Sequence, residues 1–176
     1  MSIAELAPDL LSAELIEALS NPPKELASEY QFKREWHPYL HQLNAWQSLL
    51  GEDWKSVLVS SGTGSGKTEC FLIPILEDLT RELAANPTPI VGVRALMLYP
   101  LNALINSQRQ RLSAWTHAYG GKIRFCLYNG DTPPDVRSTE QQKVPAEVLS
   151  RKCKCRRITA AICRGSLKRI SATAAR

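Results

Sequence analysis

The chain has 176 residues, 44% of them hydrophobic, which is enough for one domain with a buried core. No window approaches the roughly 18 uninterrupted apolar residues of a membrane-spanning helix, and an acidic first segment argues against a secretory signal, so a cytoplasmic location is expected. The net charge of +5 is unevenly placed, because residues 151–176 hold nine of the 22 Lys/Arg and none of the 17 Asp/Glu. The basic character therefore comes from this final stretch and says little about the function of residues 1–150.

Helical patterns dominate the first 36 residues. Residues 8–20 place three leucines on one face of an amphipathic helix, and a Pro-Pro pair follows it. Residues 24–36 favour a second helix. Residues 1–36 are therefore predicted to be an N-terminal helical segment.

Strand and helix patterns alternate through residues 37–150. The predicted elements are a helix over 38–50, a strand over 56–60, a helix over about 67–83, a strand over 92–99, a helix over 101–118 and a strand over 122–128. This order predicts an α/β fold built from parallel βαβ units with right-handed crossovers. Residues 151–176 lack a clean periodicity and are predicted to be an irregular, disordered basic tail.

A glycine-rich loop stands between the first predicted strand and its helix. Its residues are Ser61, Gly62, Thr63, Gly64, Ser65, Gly66, Lys67 and Thr68. Glycines let successive backbone N–H groups face one anion, and the following helix adds its dipole. This pattern predicts an ATP site in which Lys67 reaches the β- and γ-phosphates and Thr68 ligates Mg²⁺. The alternative is a Gly/Ser-rich turn that binds nothing.

The loop resembles motif I of superfamily 2 helicases of the DEAD/DEAH type, in which a small residue such as Ser61 often replaces the first glycine. Gln42 lies 25 residues before Lys67 and resembles the Q-motif glutamine, which implies that its amide pairs with adenine. On its own, Gln42 would be taken for a surface glutamine. The aromatic residue that often precedes this glutamine is Phe32, Trp36 or Tyr39, and the sequence does not choose among them.

Residues 99–108 resemble motif Ia of the same helicases, in the YPLNAL form of large bacterial members. The resemblance implies that Pro100, Asn102 and Asn106, with Gly130 after the third strand, contact nucleic-acid phosphates, on DNA rather than RNA. The alternative for the apolar residues here is an ordinary crossover helix.

The resemblance covers residues 38–150 and implies an incomplete RecA-like domain. The Asp-Glu-Ala-Asp/His run of motif II is absent from the 176 residues. We therefore expect the ATP-binding portion of a truncated helicase that is inactive as a motor. The implied sheet also places two further strands between the strand at 56–60 and the strand at 92–99.

Three interpretations of residues 151–176 remain open. A shifted reading frame ahead of an early stop would produce such a composition, and this is the interpretation we favour. The second is a genuine basic arm that binds nucleic acid electrostatically. The third is a metal site formed by Cys153, Cys155 and Cys163, although the spacing matches no common zinc pattern.

Two functions compete with the truncated helicase. One is a stand-alone P-loop ATPase or kinase, which needs its own carboxylate on Mg²⁺, and Asp131 is the candidate. The other is a non-enzymatic nucleic-acid-binding module that uses the basic tail.

Overall fold

The computed structural model describes residues 2–7, 9–53, 55–88, 90, 92–100, 102–128 and 160–164. Its helices are α1 (Ala13–Ser20), α2 (Lys24–Tyr30), α3 (Leu40–Leu50), α4 (Lys67–Ala85) and α5 (Asn102–Thr116). Its strands are β1 (Ala95–Tyr99), β2 (Phe125–Tyr128) and β3 (Ala160–Arg164). Short 3-10 turns occupy Ala4–Leu6 and His117–Tyr119. No helix in this described part of the chain is long and apolar enough to cross a membrane.

The predicted helices are all present, and their ends differ for identifiable reasons. Helix α1 begins only at Ala13, because Ser12 has extended backbone and its side chain accepts a hydrogen bond from the Leu15 N–H. Helix α2 stops at Tyr30, six residues before the predicted end. Helix α4 runs unbroken through Pro74, so the proline does not divide it.

The three described strands form one parallel sheet in the order β1-β3-β2. Met97 of β1 lies opposite Ile162 of β3, and Ile162 lies opposite Leu127 of β2. Helix α5 connects β1 to β2, which run in the same direction on either side of β3. The parallel arrangement predicted for the strands over 92–99 and 122–128 is confirmed for β1 and β2.

The predicted strand over residues 56–60 is wrong. Residues 55–60 have no regular secondary structure, and the Leu58 side chain is 95% exposed. A strand requires a neighbour that accepts and donates its backbone hydrogen bonds, and the described sheet offers none beside this segment. The apolar run alone therefore does not specify a paired strand.

The basic tail is not irregular throughout. Residues 160–164 form β3, the central strand of the described sheet, which corrects the expectation of a patternless tail for these five residues. Four of them are uncharged and form a short apolar run. A central parallel strand pairs its backbone on both sides, so a short apolar run is sufficient there. The remainder of residues 151–176 lies outside the described residues.

The N-terminal helices share a core with the rest of the chain. Leu11, Leu15 and Leu19 are fully buried in the same cluster as Leu72 and Leu76 of α4. The N–H of the Trp115 indole, on α5, donates to the Tyr30 carbonyl at 2.7 Å. Residues 1–36 therefore pack directly on the helix that follows the glycine-rich loop.

A buried carboxylate joins α1 to α4. Glu77 is 0% exposed, and its Oε2 accepts hydrogen bonds from the Ser12 N–H at 2.9 Å and the Ser12 hydroxyl at 2.8 Å. Its Oε1 accepts from Arg81 Nε at 2.6 Å, and Arg81 also donates to the Leu10 carbonyl. Glu77 thus connects the start of α1 to the middle of α4.

We expect Glu77→Ala to lower the free energy of unfolding by about 1–3 kcal/mol, because the Ser12 donors lose their acceptor where little water reaches them. The measurement is urea unfolding of both proteins. The matched control is Asp78→Ala, which removes the same charge from the neighbouring exposed position and should change stability little. Equal losses in the two variants would contradict a specific role for Glu77.

Candidate nucleotide-binding site

The glycine-rich loop has the backbone conformation that its glycines permit. Gly64 and Gly66 have φ values of 74° and 73°, in the left-handed region that side chains disfavour. Helix α4 begins at Lys67, directly after Gly66. A Cβ built on Gly62 or Gly64 would meet no atom within 4 Å, so there is open space around this part of the loop. The free N–H groups at the start of α4 therefore adjoin a region with room for an anion.

Lys67 folds back over the loop. Its ammonium donates to the Ser61 carbonyl at 2.8 Å and to the Gly62 carbonyl. Thr68 follows in the first turn of α4 and is half-buried. Both side chains that the sequence predicts for phosphate and Mg²⁺ therefore belong to the first turn of α4, directly after the loop.

Hydroxyl groups close the loop on itself. The Ser61 and Ser65 hydroxyls lie 2.6 Å apart, and the Ser65 hydroxyl donates to the Gly62 carbonyl at 2.8 Å. Thr63 is exposed at the tip. A small hydroxyl residue at position 61 thus contributes a contact that glycine would lack.

The Gln42 side chain is buried and hydrogen-bonded to the loop, so Gln42 is not a surface residue. It is only 4% exposed, its Nε2 donates to the Gly66 carbonyl at 3.1 Å, and its Oε1 accepts from the Tyr39 N–H at 2.9 Å. A primary amide has two donor hydrogens and two acceptor lone pairs. One donor and one acceptor therefore remain, which is the pair that the adenine edge requires.

A cavity of about 360 Å³ opens beside this amide. It is lined by Phe32, Trp36, His37, Pro38, Tyr39, Gln42, Gly64, Gly66 and Glu69. All three aromatic candidates border it. Phe32 packs edge-on against the buried Trp115, whereas Trp36 and Tyr39 are 46% and 62% exposed. Trp36 and Tyr39 therefore keep ring surface available for stacking on a flat ligand.

Three residues at the site escaped the sequence analysis. His41 contacts the Ser65 carbonyl through Nε2 at 2.8 Å. Glu69, which borders the cavity, forms an ion pair with Arg111 of α5 at 3.1 Å, with both side chains mostly buried. Because His41 is adjacent to Gln42, the sequence could have indicated that His41 belongs to the site. No local pattern pairs Glu69 with Arg111, which is 42 residues later.

The predicted nucleic-acid residues lie around the start of α5. Pro100 is exposed directly after β1, Asn102 is the first residue of α5, and Asn106 is exposed one turn later. Gly130 lies outside the described residues. Burial raises the pKa of the Tyr99 hydroxyl, in the residue before Pro100, to about 12.

Metal-binding clusters are absent from the part of the chain that the structure describes. Cys163 lies in β3, while Cys153 and Cys155 fall outside the described residues. The proposed cysteine site therefore gains no support from the described residues.

The parallel sheet and its crossover helix define an α/β fold. A family model described as DEAD/DEAH box helicase matches residues 39–168. The chain therefore belongs to the DEAD/DEAH box helicase family. The match includes the glycine-rich loop, the start of α5 and also β3 within the basic tail.

Relatives of known sequence agree with this assignment. The chain is 39% identical over 141 residues to Druantia protein DruE of Escherichia coli, covering 73% of this chain and 8% of that protein. It is 31% identical over 99 residues to the uncharacterized ATP-dependent helicase YprA of Bacillus subtilis, covering 56% of this chain and 12% of that one. The chain thus spans about a tenth of the length of these relatives.

A solved structure supports the fold. The DUF1998 helicase MrfA, crystallised with DNA and AMPPNP, superimposes with a TM-score of 0.55 at 24% identity. The match covers 89% of this chain and 17% of that one.

Two glycines with the same backbone angle allow a test of the contact between Gln42 and the loop. A Cβ on Gly66 would overlap Gln42 Nε2, whereas a Cβ on Gly64 meets nothing. We expect Gly64→Ala to cost about 1–3 kcal/mol of stability from backbone strain alone, and Gly66→Ala to cost more. Unfolding midpoints of both variants measure the difference. The excess should shrink in the background of Gln42→Ala, and an excess that persists there would place its cause elsewhere.

Proposed function

We propose that this chain is the ATP-binding and nucleic-acid-binding portion of an ATP-dependent helicase motor. The observation that carries the proposal is the glycine-rich loop, whose Gly66 carbonyl is held by Gln42 while Lys67 begins α4. One side chain thereby adjoins both the cavity suited to a base and the space suited to phosphates. This is the arrangement that a nucleoside triphosphate requires.

The residues present fit ATP with Mg²⁺. The loop N–H groups and Lys67 would hold the phosphates, and Thr68 would offer its hydroxyl to Mg²⁺. The remaining donor and acceptor of Gln42 match adenine, with Trp36 or Tyr39 against its face. Magnesium would neutralise phosphate charge, while the chain's own groups set the orientation of the ligand.

Nucleic acid would meet the start of α5. The free N–H groups there and the exposed Asn106 suit a backbone phosphate. The MrfA structure contains DNA, whereas several curated relatives are named RNA helicases. We favour DNA, because the MrfA match covers 89% of this chain, whereas the matches to those RNA helicases cover 40% and 58%.

A second candidate function rests on charge. Residues 151–176 hold nine basic residues and no acidic one, so this stretch would attract any nucleic acid electrostatically. Binding of that kind falls steeply with salt and does not depend on Lys67. The family match through residue 168 favours the helicase proposal over this one.

We expect Lys67→Ala to weaken ATP binding about 10- to 100-fold at fixed Mg²⁺, since a hydrogen bond to a charged group contributes about 1.5–3 kcal/mol. Isothermal titration with ATP measures the affinity. The control is Lys55→Ala, which removes the same charge from an exposed position outside the loop. Equal affinities of Lys67→Ala and the wild type would remove the loop from the site.

We expect a polypeptide of these 176 residues alone to bind ATP without driving unwinding. It contains no Asp-Glu-Ala-Asp/His run to hold Mg²⁺ and place the attacking water. Strand separation of a labelled partial duplex, with and without ATP, is the measurement. ATP-dependent separation that Lys67→Ala abolishes would contradict this expectation.

A further inference from the structure

The carbonyl groups at the end of the glycine-rich loop are held by two successive residues of α3. His41 Nε2 lies 2.8 Å from the Ser65 carbonyl oxygen, and Gln42 Nε2 lies 3.1 Å from the Gly66 carbonyl oxygen. A carbonyl oxygen only accepts hydrogen bonds, so Nε2 of His41 carries the hydrogen in this contact. The two bonds therefore pull consecutive peptide groups toward α3.

Holding a carbonyl also sets the direction of the N–H in the same peptide group. The peptide unit is planar and trans, so its C=O and N–H point in opposite directions. The bond from His41 to the Ser65 carbonyl therefore turns the Gly66 N–H away from α3. The bond from Gln42 does the same for the Lys67 N–H.

The peptide group between Ser65 and Gly66 is the one that most needs such a restraint. Gly66 has a φ of 73° and no side chain, so rotation of this peptide meets little steric resistance. The Ser65 hydroxyl is bonded to Gly62 and Ser61, not to this peptide. The described contact that restrains its carbonyl is the one from His41.

His41 is itself well anchored. Its ring stacks on Tyr39 with centroids 5.6 Å apart and planes 12° apart. Farther along α3, the Trp46 indole donates to the Glu69 carbonyl at 2.9 Å and ties α3 to the first turn of α4. His41 is not among the residues that line the cavity, and its Nε2 contacts the loop.

We propose that His41 is a positioning residue that aims the Gly66 N–H at a bound polyphosphate by holding the Ser65 carbonyl. The proposal rests on the ATP site proposed above and assigns a role to a residue outside its predicted ligand set. Without the bond, the peptide turns freely and presents its N–H to phosphate only part of the time. Binding of the phosphates should weaken, while binding of the base should not.

Two substitutions separate the hydrogen bond from the ring. His41→Phe keeps an aromatic ring to stack on Tyr39 but has no donor, whereas His41→Gln loses the ring and places an amide N–H near the position of Nε2. We expect His41→Phe to bind ATP about tenfold more weakly than the wild type, the effect of losing one hydrogen bond, and His41→Gln to bind nearly as the wild type does.

Adenosine, which has no phosphate, supplies the readout that a purely structural role would not give. Titration with ATP and ligand-observed NMR with adenosine are carried out on the full chain, with Lys67→Ala alongside. The expected result is an unchanged adenosine affinity in His41→Phe, which keeps a ring beside Tyr39. Equal loss of ATP and adenosine in His41→Phe, or failure of His41→Gln to restore ATP binding, would overturn the proposal.

The same experiment separates this proposal from the proposed function. If the wild type binds ATP no better than Lys67→Ala does, the ATP site itself is wrong, and the role of His41 is wrong with it. If the wild type and Lys67→Ala differ while His41→Phe matches the wild type, the ATP site stands and the positioning role of His41 is wrong.

Discussion

The hydrogen bond from the Gln42 amide to the Gly66 carbonyl is the contact on which the site depends. It fixes the end of the glycine-rich loop against α3, and it requires that residue 66 have no Cβ, because a Cβ would occupy the place of Gln42 Nε2. Gln42 and Gly66 both line the cavity, so this contact forms part of its wall. The positions proposed for the base and the phosphates therefore share one contact between α3 and the loop.

Helix α4 transmits this arrangement to the body of the protein. Its first turn contributes Lys67, Thr68 and Glu69 to the site, and its middle is buried against α1 with Glu77 as the polar link. The N-terminal helices thus pack against the helix that carries Lys67, although they contribute none of the groups expected to touch phosphate. A small shift of α4 would move Lys67 relative to the loop that it covers.

The end of β1 and helix α5 carry the residues that we propose contact nucleic acid. Helix α5 begins at the carboxyl end of β1, the edge at which open parallel α/β sheets usually bind ligands. The Glu69–Arg111 ion pair joins the first turn of α4 to α5, and the Arg111 guanidinium lies over the Tyr30 and Trp115 rings. The two mostly buried charges are thus paired with each other, and the guanidinium also packs on aromatic rings.

Local pattern by itself determined the glycine-rich loop, the helices and the parallel arrangement of their strands, because these depend on glycine angles, helical periodicity and chain order. The spacing of 25 residues between Gln42 and Lys67 also indicated from the sequence that Gln42 belongs to the site. Only the tertiary structure decided that residues 56–60 stay unpaired, that residues 160–164 supply the central strand, and that His41 and Arg111 belong to the site. Strand pairing and buried polar contacts need partners distant in sequence, and no local pattern specifies which residues those partners are.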